Sequence, residues 1–139
     1  MEILNRDSLP SFPVYFRWIG WINNIYNTRA IDHILQERCL ERVLLEWDKL
    51  GYSKMYIKNI FNIFRSIYNW KRPYFLPNDQ CYIILKLWWR GVSDCMEFER
   101  CMWEFEKIFN MNKRISSIII DFPFFTATLL DLLNFLENN

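Results

Sequence analysis

The stretch SKMYIKNIFNIFRSIYNW, residues 53–70, decides the fold class of this 139-residue chain. Its apolar side chains recur at the i, i+3, i+4, i+7 spacing that places them on one face of an α-helix. These side chains are Ile57, Ile60, Phe61, Phe64, Ile67 and Tyr68. Ser53 is suited to cap the helix N-terminus, and Pro73 requires the helix to end before it. We therefore expect a helix over 54–70.

The same periodicity recurs along most of the chain and predicts further helices. They are expected over 29–50, 79–90, 94–109 and 127–137. The chain has only three glycines, whereas all-β domains need many glycines in their turns. No stretch rich in Gly, Ser or Pro marks a domain boundary. We expect an all-α fold: a compact single-domain bundle of five to six helices with short loops, covering 1–139, with an irregular N-terminal segment over 1–13.

The helix expected over 29–50 has an apolar residue at every fourth position, including Cys39 and Trp47. This spacing predicts that Cys39 is a small buried side chain and that Arg38 lies on the opposite, polar face. Asn78 or Asp79 is placed where a polar residue would open the next helix.

Aromatic residues make up 19% of the chain, with twelve Phe, seven Tyr and seven Trp. Large apolar side chains are mostly buried, so a core dense in rings is the ordinary explanation. Rings exposed for a partner are the alternative. The periodic faces predict a buried core that includes Ile60, Phe64, Ile67, Met102 and Phe105.

Residues that could support catalysis or hold a metal are few and widely spaced. The four cysteines, at 39, 81, 95 and 101, form no CxxC pair, and His33 is the one histidine. No motif of a serine hydrolase, zinc protease, P-loop or dinucleotide-binding site occurs. We expect no catalytic residue, no cofactor, no metal and free thiols.

Targeting and membrane signals are weak. The N-terminus lacks the basic start and apolar run of a signal peptide. The most apolar stretch, 115–136, is interrupted by Asp121, Pro123 and Asp131, each costly in a bilayer. We expect no transmembrane segment and a cytoplasmic location.

Charge is distributed unevenly although the net charge is only +1. Residues 51–92, the basic segment, carry seven cations against Asp79 alone, a net charge of +6. Residues 93–139 carry four cations against eight carboxylates, a net charge of −4. Three interpretations follow: the basic segment binds a protein, it binds nucleic acid, or it is neutralised by the acidic third of the same chain.

Two overlapping sets of residues carry the binding interpretations. A protein-binding surface is expected at Trp70, Lys71, Arg72, Tyr74, Trp88, Trp89 and Arg90, because Trp, Tyr and Arg dominate protein interfaces. Nucleic-acid contacts are expected at Lys54, Lys58, Arg65, Lys71, Arg72, Lys86 and Arg90.

The function expected from the sequence is that of a small non-catalytic protein-binding module. Proteins of this general type include many inhibitors and immunity proteins of bacteria and their viruses, so an inhibitory role is expected by analogy. The alternative is a helical protein that binds nucleic acid through the basic segment.

Overall fold

The computed structural model describes residues 1–10, 20–90, 96–111 and 121–138, without the side chains at 20, 21, 89 and 90. Its fold is all-α, as predicted. The helices are α1 (Gly20–Gln36), α2 (Leu40–Asp48), α3 (Lys54–Tyr68), α4 (Cys81–Ile84), α5 (Leu87–Arg90), α6 (Met96–Phe109) and α7 (Leu129–Glu137). Within the described ranges, the only β pairing is one antiparallel bridge between Gln80 and Thr128.

Three predicted helices are found with small changes at their ends. Ser53 caps α3 by accepting a hydrogen bond from the backbone N–H of Tyr56, and Asn69 ends it in the left-handed region. Thr128 and Asp131 form a reciprocal capping box at the start of α7. The predicted start of the fourth helix at 94 lies outside the described residues. Local sequence signals are sufficient for these helices because each has its own apolar stripe.

The prediction of a single helix over 29–50 is wrong. Helix α1 begins at Gly20 and ends at Gln36, and α2 starts only at Leu40. Between them, Arg38 is buried and Cys39 is exposed, the reverse of the prediction. The chain leaves the helical path here because Arg38 turns inward to bind the carboxylate of Asp79.

The helix predicted over 79–90 is likewise divided. Helices α4 and α5 are separated at Lys86, whose φ of 50° lies in the left-handed region. Asp79 does not open a helix, since Gln80 is the residue before α4. The Asp79 carboxylate instead accepts hydrogen bonds from the backbone N–H groups of Leu4 and Leu76 and from the Arg38 guanidinium.

The core confirms the predicted burial. All five predicted core residues are buried: Ile60, Phe64, Ile67, Met102 and Phe105. The Phe64 ring lies edge-on to Phe75 and to Phe105, with ring centroids 5.7 and 5.9 Å apart. Helix α3 therefore packs its aromatic face against both α6 and the loop that follows α3.

The N-terminal segment 1–10 is attached to this core. Leu4 is fully buried, and its carbonyl accepts a hydrogen bond from the backbone N–H of Gln80 at 2.9 Å. Arg38 also donates to the carbonyl of Glu2 at 2.6 Å. The buried Arg38–Asp79 pair thus joins the N-terminal segment, the α1–α2 connection and the loop before α4.

Candidate functional site

Helix α3 presents a line of cations to solvent. Lys54, Lys58 and Arg65 are all exposed, and at 100° per residue they fall within about 40° of arc. Helix α3 contains no carboxylate, so nothing on the helix neutralises them. Asn62 lies beside the line and accepts a hydrogen bond from Arg65 at 2.8 Å. We call Lys54, Lys58 and Arg65 the α3 cation stripe.

Helix α6 presents a second exposed line, made of Met96, Arg100, Trp103 and Lys107. At helical spacing these four positions fall within about 60° of arc. Met96 is 76% exposed and Trp103 is 60% exposed. The Lys107 Nζ lies 4.2 Å from the centroid of the Trp103 ring and 3.2 Å from a carboxylate oxygen of Glu104. We call these four residues the Trp103 stripe.

A groove separates the two helices on this side of the molecule. The helices run antiparallel, since Tyr56 near the start of α3 contacts Phe109 at the end of α6. The groove has a volume of about 430 Å³. Its lining includes Asn62, Ile63, Ser66 and Ile67 from α3 and Arg100, Trp103 and Glu104 from α6. We call it the α3–α6 groove.

Sequence reasoning missed Trp103. It was not among the residues expected to contact a protein or nucleic acid. The signal was present: a tryptophan placed four residues before a lysine and three after an arginine, opposite the Phe98–Cys101–Phe105 stripe. An aromatic ring on the charged face of an amphipathic helix is a candidate contact residue.

The residues predicted to bind a protein differ in their burial and in their hydrogen bonds. Trp70 is fully buried, and its indole N–H donates to the carbonyl of Ile84 at 2.9 Å, so it is a core residue and not a contact surface. Trp88 is half-buried, and its indole N–H donates to Asn24 at 3.1 Å. Tyr74 is half-buried, and its carbonyl accepts from Arg38. The side chains of Trp89 and Arg90 lie outside the described residues.

The residues predicted to contact nucleic acid also differ in their exposure. Lys71 and Arg72 are exposed, like the α3 cation stripe. Lys86 is not a free surface cation, because its Nζ lies 4.5 Å from the Trp70 ring centroid. Burial lowers the pKa of Lys86 to about 8, although the charges of Asp32 and Glu97 oppose this shift.

In the described part of the chain, no ion pair joins the exposed cations of the basic segment to the acidic third. Across the described part of the chain, ion pairs join Arg38 to Asp79, Lys49 to Glu46 and Lys107 to Glu104. None involves the α3 cation stripe, Lys71 or Arg72. The Lys71 charge acts on the Asp32 carboxylate, and Arg72 donates to the carbonyl of Gln36 at 3.4 Å.

A second cluster of polar groups joins α3 to α7. The Tyr52 and Tyr56 rings are stacked with centroids 5.9 Å apart, and both hydroxyls donate to Glu137, at 3.4 and 3.5 Å. Burial and the nearby Glu137 raise the pKa of Tyr52 to about 12. The cluster lines an open groove of about 590 Å³. Its hydrogen bonds are satisfied within the fold, so we assign it a structural role.

The cysteines and the histidine form no metal centre among the residues that the structure describes. Cys39 and Cys81 are free thiols, and Cys101 forms no disulfide with either of them, while Cys95 lies outside the described ranges. His33 is exposed on α1. In the same ranges, every helix is too short or too polar to pass through a lipid bilayer.

Comparison with protein-family models, curated proteins and solved structures found no match for this chain.

Proposed function

We propose that this protein is a non-catalytic protein-binding module whose contact surface is the α3–α6 groove with the Trp103 stripe. The observation that carries the proposal is the 60% exposure of Trp103 at the edge of that groove. Exposing most of a tryptophan ring to water is unfavourable for an isolated domain. A partner that covers the ring recovers this free energy.

The size of this effect is sufficient for specific recognition. Covering on the order of 100 Å² of ring surface contributes about 2–3 kcal/mol at 25 cal/mol per Å². That value is typical of the few residues that dominate protein interfaces, among which Trp and Arg are the commonest. Arg100 lies in the groove beside Trp103 and supplies the second residue of this kind.

The proposal extends to a cytoplasmic location and to inhibition as the form that binding takes. Free thiols at Cys39 and Cys81 support a reducing compartment. The inhibitory role rests on analogy with small helical inhibitors and immunity proteins.

Selection from a random peptide library displayed on phage tests the proposal. Peptides enriched on the wild-type protein should bind Trp103→Ala at least tenfold more weakly. Leu45→Ala is the matched control, because Leu45 is 51% exposed on α2, away from the groove. Peptides that bind Trp103→Ala as tightly as the wild type, or the absence of any enriched peptide, would contradict the proposed surface.

Nucleic-acid binding is the second candidate, and the α3 cation stripe favours it. Three exposed cations in line, with no carboxylate on the helix, could contact successive phosphates. A labelled single-stranded oligonucleotide should then bind with an affinity that falls steeply with salt. Replacing Lys54, Lys58 and Arg65 by Glu should abolish that binding, whereas Trp103→Ala should weaken it far less.

A further inference from the structure

We infer that the partner segment is an acidic amphipathic helix that lies along the α3–α6 groove. This inference rests on the proposed function and adds the chemistry of the partner. It depends on three features of the described surface: the charges on both sides of the groove, its apolar floor, and its shape between two antiparallel helices.

The charges on both sides of the groove are predominantly positive. On the α3 side, Arg65 donates a hydrogen bond to the lining residue Asn62, and on the α6 side Arg100 lines the groove. Lys107 lies over the Trp103 ring on that same side. The carboxylate in the lining, Glu104, already accepts a hydrogen bond from Lys107. Carboxylates on a partner would therefore meet Arg65 and Arg100, which form no ion pair among the described residues, and arginine binds carboxylates with two parallel hydrogen bonds.

The floor of the groove is apolar. Ile63 and Ile67 line it, and their side chains are 8% and 6% exposed. Ile57 and Ile60, which lie nearer the start of α3, are fully buried. The Trp103 ring stands beside them. A leucine, phenylalanine or methionine of the partner fits between Trp103 and these isoleucines as an anchor.

The shape of the groove favours a helix over an extended strand. Strand addition requires a free sheet edge, and the described residues contain only the isolated bridge between Gln80 and Thr128. Two neighbouring helices, in contrast, form a groove that accepts the side-chain ridge of a third. The α3 lining residues run from Asn62 to Ile67, about 8 Å along the helix axis, so the groove contacts between one and two turns of a partner helix.

Nucleic acid fits this groove less well than an acidic helix does. The Lys107 amine lies over the Trp103 ring, which a base would have to displace in order to stack there. Glu104 lines the groove and would repel an evenly charged phosphate backbone. An acidic helix can place carboxylates opposite Arg65 and Arg100 and a neutral side chain opposite Glu104.

The composition of the peptides selected on the wild-type protein tests the inference. The Trp103-dependent peptides should be enriched in Asp and Glu around one or two large apolar residues, at i, i+3 or i+4 spacing. Replacing every Glu of such a peptide by Gln should weaken its binding at least tenfold. This measurement uses the unaltered protein, so it does not depend on the folding of any variant.

Charge reversal on the protein provides the complementary test. Arg100→Glu and Arg65→Glu should each weaken binding of a selected acidic peptide at least tenfold. Arg42→Glu, an exposed arginine on α2, should change the affinity less than twofold. Circular dichroism melting should show that the three variants fold equally well.

The two proposals fail in different ways. If Trp103-dependent peptides are neutral or basic, or bind unchanged after Glu is replaced by Gln, the partner chemistry is wrong and the binding surface stands. If no peptide depends on Trp103, both proposals are wrong. Preferential binding of the labelled oligonucleotide at the groove would also overturn both.

Discussion

Removing the Asp79 carboxylate should destabilise this protein more than any surface substitution. Asp79 is fully buried, and its side chain accepts hydrogen bonds from the Leu4 and Leu76 backbone N–H groups at 2.8 and 2.7 Å. It also accepts from Arg38, which is 5% exposed. Asp79→Ala would therefore leave a buried guanidinium without its counter-charge and two backbone donors without an acceptor.

The expected loss follows from these contacts. Removing one partner of a buried ion pair costs about 3–5 kcal/mol, because the remaining charge stays buried. Each stranded donor adds on the order of 1 kcal/mol, although such effects are not additive within one network. Domains of this kind have total stabilities of about 5–15 kcal/mol, so the variant should be close to its folding limit. Asp79→Asn keeps the size of the side chain and should lose less.

Urea unfolding followed by far-ultraviolet circular dichroism measures the change. With a slope of about 2 kcal/mol per molar urea, a loss of 4 kcal/mol lowers the midpoint by about 2 M. Lys49→Met is the matched control, since it removes an ion pair to Glu46 that is exposed to solvent. Exposed pairs contribute only about 0–1 kcal/mol.

Hydrogen exchange in Asp79→Asn adds a local measurement. The amides of Leu4 and Leu76 should exchange faster than in the wild type, while amides in the middle of α7 should change only with global stability. If Asp79→Ala and Lys49→Met lower the midpoint equally, or if the Leu4 amide is unaffected, the Arg38–Asp79 pair does not hold the N-terminal segment as the structure indicates.

Further predictions concern the core, the pH dependence and the exposed charges. Phe64→Ala should lower the free energy of unfolding by about 3–5 kcal/mol, because the ring is fully buried between Phe75 and Phe105; a shift of less than 1 kcal/mol in denaturant titrations would contradict this packing. The folded-state pKa of Lys86 is lowered to about 8, so its charged form destabilises the folded protein below that pH, and this cost disappears as the pH rises towards 10.5. Lys86→Met should accordingly be more stable relative to the wild type at pH 7 than at pH 10, by at most about 3 kcal/mol; a difference that stays constant with pH would refute this. Replacing Lys71 and Arg72 together by Glu should change the thermal midpoint by less than about 3 °C, since both are exposed and form no ion pair among the described residues. An early melt would show that the fold needs the Lys71 charge near Asp32 or the Arg72 hydrogen bond to Gln36.

Local sequence determined the helices that have a complete pattern of their own. In α3, the cap at Ser53 and the apolar positions of a single face lie within one short stretch, so no distant residue is needed to predict it. The same holds for α7 with its Thr128–Asp131 capping box. Burial of Phe64 and Phe105 followed from the same periodicity, because a helix of a small domain turns its apolar stripe toward the core.

Tertiary structure decided the features that depend on residues far apart in the chain. Arg38 and Asp79 are separated by 41 positions, and only their meeting explains why α1 ends at Gln36 and why Asp79 opens no helix. Each residue taken alone resembles an ordinary surface charge.

Trp70 and Trp103 show the same difference between what local sequence predicts and what tertiary structure decides. Trp70 lies in a loop, where no periodicity indicates burial, and it is enclosed because Ile84 and Phe75 pack around it. Trp103 lies on helix α6, and the helical repeat shows which residues share its face. The repeat does not show whether a neighbouring element covers that face. Whether a ring belongs to the core or to a contact surface is set by the packing of the surrounding helices, and only the tertiary structure contains that information.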